Sequence, residues 1–248
     1  MTTTATPPTT RPASRPSLAE QRERHRRSRR RALRAFFALL LVALVGTAVW
    51  LVYFSSVLDT RTVVVSGTRE LTRDQVTQAA AVPLGTPLAR QQLDAVARRA
   101  TSLPQVSAAE VTREWPHTVH VAVTERVPLL AVAQPGGFLV VDKAGMVFAA
   151  KTTRPPGVVE VAVDANNRPL LVELGSVVLA LPDDVRDQVV SISAATRDSI
   201  TLKTTSGVTI VWGDASQTPL KAQVAVALLA SGAKTSIDVS APHAPAVR

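Results

Sequence analysis

Residues 35–58 read AFFALLLVALVGTAVWLVYFSSVL and carry no charged side chain. A helix rises about 1.5 Å per residue and a bilayer core is about 30 Å thick, so some 20 such residues span it. Trp50, Tyr53 and Phe54 gather at the distal end, where amphipathic rings favour the headgroup layer. Buried helices of soluble domains seldom run this long without a charge. A cleaved signal peptide has a shorter apolar region and a small-residue cleavage site, and no clear A-x-A follows here. The segment reads as a single transmembrane helix.

The charge pattern gives that helix a direction. Residues 11–34 hold ten arginines against Glu20 and Glu23, while residues 59–248 hold eighteen Lys/Arg against seventeen Asp/Glu. Nearly all of the formal net charge of +9 therefore precedes the span. Positive residues flanking a membrane helix stay cytoplasmic. The sequence predicts a cytoplasmic N-terminus and an extracytoplasmic part from residue 59 onward, in the plasma membrane. Read globally, a pI near 11.1 would point to nucleic acid. Read locally, the basic tract serves topology and anionic lipid, and nucleic acid is not expected as a partner. Residues 1–34 read as a basic disordered tail, since the Thr-, Pro- and Ala-rich start cannot bury a core.

The chain has no cysteine, which removes disulfides, thiol chemistry and thiolate metal sites. The external 190 residues are numerous enough for one core or two small ones. Val63, Val64 and Val65 form a β-branched run ending at Ser66-Gly67, a strand and turn. Thr72 with Asp74 opens a helix. A second helix is expected over 87–101, with Leu88, Leu93, Val96 and Ala100 at helical spacing. Residues 106–113 follow, then Trp115-Pro116. Val119, Val121 and Val123 next alternate with His120, Ala122 and Thr124, a half-buried strand. The order is β-α-α-β-β.

Beyond Pro128 the pattern predicts a hairpin over 138–149 and a short element or turn over 170–175. It then predicts a helix over 183–195 and a hairpin around Ser206-Gly207. An apolar helix over 217–231 should bury Leu220, Val224, Ala227 and Leu228, and a last short strand covers 237–240. The fold class is α+β, divided as tail 1–34, membrane helix 35–58, first domain 59–128 and mixed β domain 129–248.

No catalytic constellation can be assembled. His117 and His120 stand three apart and so face opposite ways in a strand. Asp183, Asp184 and Asp187 fit the first turn of a helix better than a carboxylate cluster. No nucleophile elbow, zinc-protease or phosphate-loop motif is present. No cofactor and no metal are expected, and the chain reads as a non-enzyme.

Ordered motifs carry a more specific signal. Arg113, Trp115 and Pro116 form an Arg-x-Trp-Pro turn, an alternating strand follows, and Glu125, Arg126 and Pro128 form Glu-Arg-x-Pro. Leu103-Pro104-x-Val106 precedes them, and Val63-x-Val65-x-Gly67 opens the external part. Val211-x-Gly213, the helix of Lys221 and the final Ile237-Asp238-Val239-Ser240 complete the series. In this order the motifs resemble the bacterial FtsQ/DivIB cell-division family over the whole chain. The Ala-, Val- and Arg-rich composition suits an actinobacterium.

The resemblance implies a polypeptide-transport-associated (POTRA) domain over β-α-α-β-β and the family's β domain beyond. It implies a non-enzymatic divisome scaffold at the division septum. The partners it implies are bitopic proteins of the FtsB and FtsL type, linked to the septal peptidoglycan synthase complex. Two alternatives are a POTRA protein handling transported polypeptide clients and an anchored cell-wall enzyme. A transport-associated POTRA protein normally serves a β-barrel, whose alternating lipid-facing strands are not found here.

Strand edges suit such a role, because main-chain groups supply the contacts. The expected partner-binding residues are Ile237, Asp238, Val239, Ser240 and Ala241, on an edge strand adding few buried contacts. The second candidate edge is Val63, Val64 and Val65. Trp115 reads as core or strand-corner packing. Glu125 and Arg126, facing opposite ways, read as polar contacts at the domain hinge.

Overall fold

The computed structural model describes residues 18–232 and 235–247, with side chains described from residue 33. Helix α1 (Leu18–Phe54) contains an apolar stretch, Leu33–Phe54, of 22 residues. At about 1.5 Å per residue this reaches some 33 Å, enough to cross a bilayer. All of its large apolar side chains except the half-buried Val52 are exposed, as expected of a helix whose solvent is lipid. The helix starts inside the segment expected to be disordered. Arg, Glu, Gln and Ala are good helix formers, and an already nucleated helix extends through them cheaply. The disorder expected of residues 1–17 lies outside the described residues.

The first domain after the helix is the β-α-α-β-β unit. It runs β1 (Thr62–Ser66), α2 (Arg73–Ala80), a 3-10 turn (Leu88–Arg90), α3 (Leu93–Ala100), β2 (Val106–Glu114) and β3 (Thr118–Glu125). The sheet order is β1-β3-β2, with β1 parallel and β2 antiparallel to β3. Val119, Val121 and Val123 are buried against Val65, Val76, Ala80, Leu88, Val96 and Ala100. Thr72 and Gln75 form a reciprocal capping box that starts α2.

The helix expected over 87–101 is broken in two. The Arg113 guanidinium takes the Gln91 carbonyl at 2.7 Å, which would otherwise accept a helical bond, and shares the Leu88 carbonyl, at 2.9 Å, with the Gln91 N–H that closes the 3-10 turn. Gln91 is buried, and its amide donates to Thr60 Oγ1 and the Pro83 carbonyl. Gly67 explains the end of the first motif. Its φ is +83°, and a Cβ there would sit 2.0 Å from the Val123 carbonyl oxygen.

The second domain is a nine-stranded mixed sheet. Its strands are β4 (Leu130–Gln134), β5 (Gly137–Val141), β6 (Val147–Lys151), β7 (Val159–Ala162), β8 (Val189–Ala194), β9 (Ile200–Thr204), β10 (Thr209–Gly213), β11 (Ser236–Asp238) and β12 (Ala246–Val247). The order is β12-β11-β10-β9-β8-β7-β4-β5-β6. Helices α4 (Arg168–Ala180), α5 (Asp183–Arg186) and α6 (Thr218–Ala230) lie in the crossovers. The core joins Leu170, Leu171, Leu174, Val177 and Val178 of α4 to Ile192, Leu202, Ile210, Trp212 and Ile237 of the sheet.

Three expectations are corrected here. Residues 168–180 form a full helix rather than a short element, capped by Asn167 and started by a proline in its first turn. Residues 183–195 are not one helix, because a four-residue helix gives way to strand β8. A bulge between Val189 and Ser191 shifts the strand's parity, so Val185, Val189 and Ile192 fall at helical spacing. Helix α6 buries Thr218, Lys221, Ala222 and Ala225, a face rotated from the expected one, and Ala227 is exposed.

The Lys221 side chain is 1% exposed. It donates to Asp214 Oδ1 at 2.6 Å and to the Asp214 carbonyl at 3.0 Å. A buried ammonium needs this compensation. The bond from Lys221, with one from Ser216, lowers the Asp214 carboxyl to about 2.

Candidate partner interface

The motif residues act mainly as clamps. Glu125, ending β3, accepts the backbone N–H groups of Arg69, Glu70 and Leu71 at 2.8, 2.9 and 3.0 Å. Burial pushes its carboxyl up, but those three bonds and the Arg69 charge outweigh it and hold it below its usual 4.5. Arg126 faces the other way. Its Nε donates to the Pro104 carbonyl at 3.0 Å and its Nη1 to Asp142 at 2.6 Å. Asp142 is buried, and its second oxygen accepts the N–H groups of Ala144 and Met146 in the β5–β6 turn. One arginine thus ties the first domain to the hairpin of the second.

Lys151 and Glu70 add an exposed ion pair at 3.3 Å. Between these ties lies a cavity of about 590 Å³, lined by Val123, Val127, Pro128, Val140 and Phe148 among others. The sequence places Asp142 only at the head of the Asp-Lys-Ala-Gly turn of the expected 138–149 hairpin, not as the partner of Arg126.

Trp115 is not core. It is 53% exposed, in the turn between β2 and β3, where the Trp115–Pro116 peptide is cis. His117 lies in the same turn, its Nδ1 3.0 Å from the Asp59 carbonyl, and His120 pairs through Nε2 with Ser66 Oγ at 2.9 Å. No group of three or more metal-ligating side chains occurs among the described residues.

The two expected edges differ. Strand β1 pairs with β3 and with no other strand among the described residues. Val65 is buried, Val63 half-buried and Val64 exposed. Strand β11 is not outermost. It pairs in parallel with β10, through Ile237↔Ile210, and antiparallel with β12, through Ile237↔Val247 and Asp238↔Ala246. Nor does it add few contacts, since Ile237 and Val239 are both fully buried. The Val239 N–H donates to the Val211 carbonyl at 2.9 Å, so Val239 belongs to the sheet's own ladder.

Ser240 donates its N–H and hydroxyl to Asp238 Oδ1, at 2.9 and 2.7 Å. Gly213 sits against this segment with φ +76°, where a Cβ would meet the Ser240 Cβ at 2.9 Å. Beyond Ser240 the chain turns through an Ala244 N–H to Ala241 carbonyl bond and returns as β12. Strand β12 is two residues long, and both are exposed. Nothing in the pattern of a Pro-containing segment announces so short a strand. At the opposite end of the sheet the outermost strand is β6.

Two family models match the chain in tandem. "POTRA domain, FtsQ-type" covers residues 58–126 and "Cell division protein FtsQ/DivIB, C-terminal" covers residues 131–240. A cell division protein FtsQ of Streptomyces bingchenggensis is 41% identical over 217 residues, covering 83% of this chain and 82% of that one. One of Streptomyces venezuelae is 38% identical over 214 residues, covering 82% and 79%. A solved structure, the major extracytoplasmic domain of DivIB from Geobacillus stearothermophilus, matches 44% of this chain and 95% of that one. Its identity is 18% and its TM-score 0.35, a likeness too distant to argue from. With both family models matched in order and two curated relatives aligned over most of their length, the chain belongs to the FtsQ/DivIB family of bacterial cell-division proteins.

Proposed function

We propose that this protein is a non-enzymatic, single-pass scaffold of the divisome, located at the septum. Its N-terminus is cytoplasmic and both folded domains are extracytoplasmic. It gathers bitopic partners of the FtsB and FtsL type and connects them to septal peptidoglycan synthesis. Partner strands add at the β11 end of the nine-stranded sheet, along Ile237, Asp238, Val239, Ser240 and Ala241, and β12 gives way to them.

The observation that carries this reading is the mismatch at that end. A core-anchored strand is covered by a neighbour of only two residues. Two or three main-chain bonds, each worth about 1 kcal/mol net, hold β12 there. A longer incoming strand offers more bonds to the same template and adds side-chain pockets. The edge at Val63, Val64 and Val65 is a second docking strand on the other domain. The clamps at Arg113, Glu125 and Arg126 position the two edges and do not themselves bind partners.

The test is photo-crosslinking in dividing cells, with a crosslinking residue placed at Ser240, at Val64 or, as a control, at Lys203. The expected result is a bitopic division protein captured from Ser240 and none from Lys203. Capture from neither Ser240 nor Val64, in protein correctly localised, would remove strand addition at these edges. A reporter fused after residue 248 that functions only in the cytosol would overturn the topology.

A further inference from the structure

The membrane-proximal tip of the POTRA domain carries apolar side chains that the folded domain does not use. Leu84 is 61% exposed and Trp115 is 53% exposed, while Val57, just past the helix, is 58% exposed. In a 69-residue domain whose core is otherwise well covered, an exposed tryptophan and leucine at one end need an explanation.

Both side chains ride on segments bonded to the residues that leave α1. Thr60 donates its N–H to the Thr86 carbonyl at 2.9 Å, and Gly85 donates to the Thr60 carbonyl at 2.9 Å. These bonds fix the loop that carries Leu84. Arg61 and Thr62 donate to the His117 carbonyl at 2.9 and 3.2 Å, which fixes the turn that carries Trp115. Arg90, in the 3-10 turn, places its guanidinium 5.8 Å from the centre of the Phe54 ring at the end of the span. Arg113 locks that turn from β2. The tip is therefore a rigid shelf beside the point where the helix ends.

We propose that this shelf seats in the headgroup layer of the bilayer, with Leu84 and Trp115 as its anchors and Val57 beside them. The proposal rests on α1 being a membrane span. The occupant is lipid because the surface continues the anchor. Each headgroup layer is about 5–8 Å deep, and the shelf is held at the helix end by bonds to residues 59–62. Tryptophan is enriched at that depth because its ring body is apolar and its N–H is polar. The exposed Arg61 and Arg90 flank the shelf, where arginines reach phosphate oxygens. Asp59 and Glu114 lie at the same end, so the surface is mixed in charge and apolar insertion carries the contact. Seating the shelf fixes the height and tilt of the whole external part over the membrane.

The chain has no native cysteine, so single cysteines report one place each. Full-length protein carrying Leu84→Cys, Trp115→Cys, Val49→Cys or Ala108→Cys is labelled with an environment-sensitive dye. It is then reconstituted in phosphatidylcholine vesicles that contain lipid nitroxide-labelled near the headgroup. Val49 lies inside the span. Ala108 lies on β2 seven residues from Trp115, about 23 Å away.

Dye at positions 84 and 115 should be quenched several-fold more than at 108, with emission shifted to shorter wavelength. Quenching at 49 together with 84 and 115 indistinguishable from 108 would overturn the proposal while leaving the anchor standing. No quenching at 49 would overturn the anchor and the proposal with it. Glu114→Cys, exposed at the same tip, gives the same readout should labels at 84 or 115 disturb folding. Quenching there equal to that at 108 would likewise count against the shelf.

Discussion

Strands β1 and β11 look alike in outline. Each is short, and each pairs in parallel with an inner strand. They differ in what lies on their two exposed aspects. In β1 no strand among the described residues covers the outer backbone edge, and only Val65 is buried. In β11 the backbone edge is covered by two residues of the chain's own later segment, while Ile237 and the following Val239 are sunk in the main core. Side-chain burial and edge exposure are thus separate properties. The first makes a strand a rigid template, and the second decides whether a partner must displace something to use it.

The largest expected effect tests the template. Ile237→Ala should lower unfolding stability by about 3 kcal/mol, as for other fully buried Ile truncations. Val64→Ala, with Val64 40% exposed, should stay within about 0.5 kcal/mol. Denaturant titration of both would erase the contrast if the two losses were equal.

Next comes the support behind β10 and β11. Asp214→Asn leaves the Lys221 ammonium buried without its carboxylate, at a cost of about 2 kcal/mol, smaller than for a fully buried pair because Asp214 is half open to solvent. Acid should act on the same bond. The Asp214 carboxyl is lowered from 3.8 to about 2 when folded. Its contribution is therefore complete above about pH 4 and fades as pH falls towards about 2. Thermal melts of parent and Asp214→Asn should converge in that window.

Arg126→Ala separates the two domains rather than the two strands. It removes the bonds to Asp142 and Pro104, at a cost of about 1–2 kcal/mol. Scanning calorimetry should then resolve a first-domain transition that the parent merges with the second. The smallest effect concerns Glu125. Its carboxyl is lowered when folded, so its grip on residues 69–71 is present above its unfolded value near 4.5 and is lost on acidification through its lower folded value. Amide exchange at Arg69, Glu70 and Leu71 should rise there before exchange at Val121 does.

Much of this organisation was legible because it rests on local periodicity. Val119, Val121 and Val123 alternate without a bulge, and their burial follows their parity. The Thr72 cap and the Ser206-Gly207 hairpin are equally local. Where the expectation failed, a long-range partner had altered the local rule. Arg113 splits a helix by taking the Gln91 carbonyl, and a bulge at Val189–Ser191 gives a strand the spacing of a helix. Helix α4 is apolar nearly all round, so it shows no amphipathic stripe. Lys221 turns α6 towards Asp214. At the candidate interface, Arg126 meets the expectation of a polar contact between the domains, through Asp142, whereas Glu125 holds residues 69–71 of its own domain. Strand β12 and the exposure of Trp115 were not readable, since one is two residues long and the other depends on what surrounds a turn.

The central claim is that β12 covers the edge a partner strand uses. The direct measurement is the affinity of the full-length protein in nanodiscs for the external segment of its bitopic partner, with and without residues 243–248. Removing β12 frees two or three main-chain bonds of about 1 kcal/mol each, offset by the order the tail no longer loses, so affinity should rise up to about tenfold. Affinity that stays the same or falls, with the shortened protein folded, would mean that partners do not enter at β11.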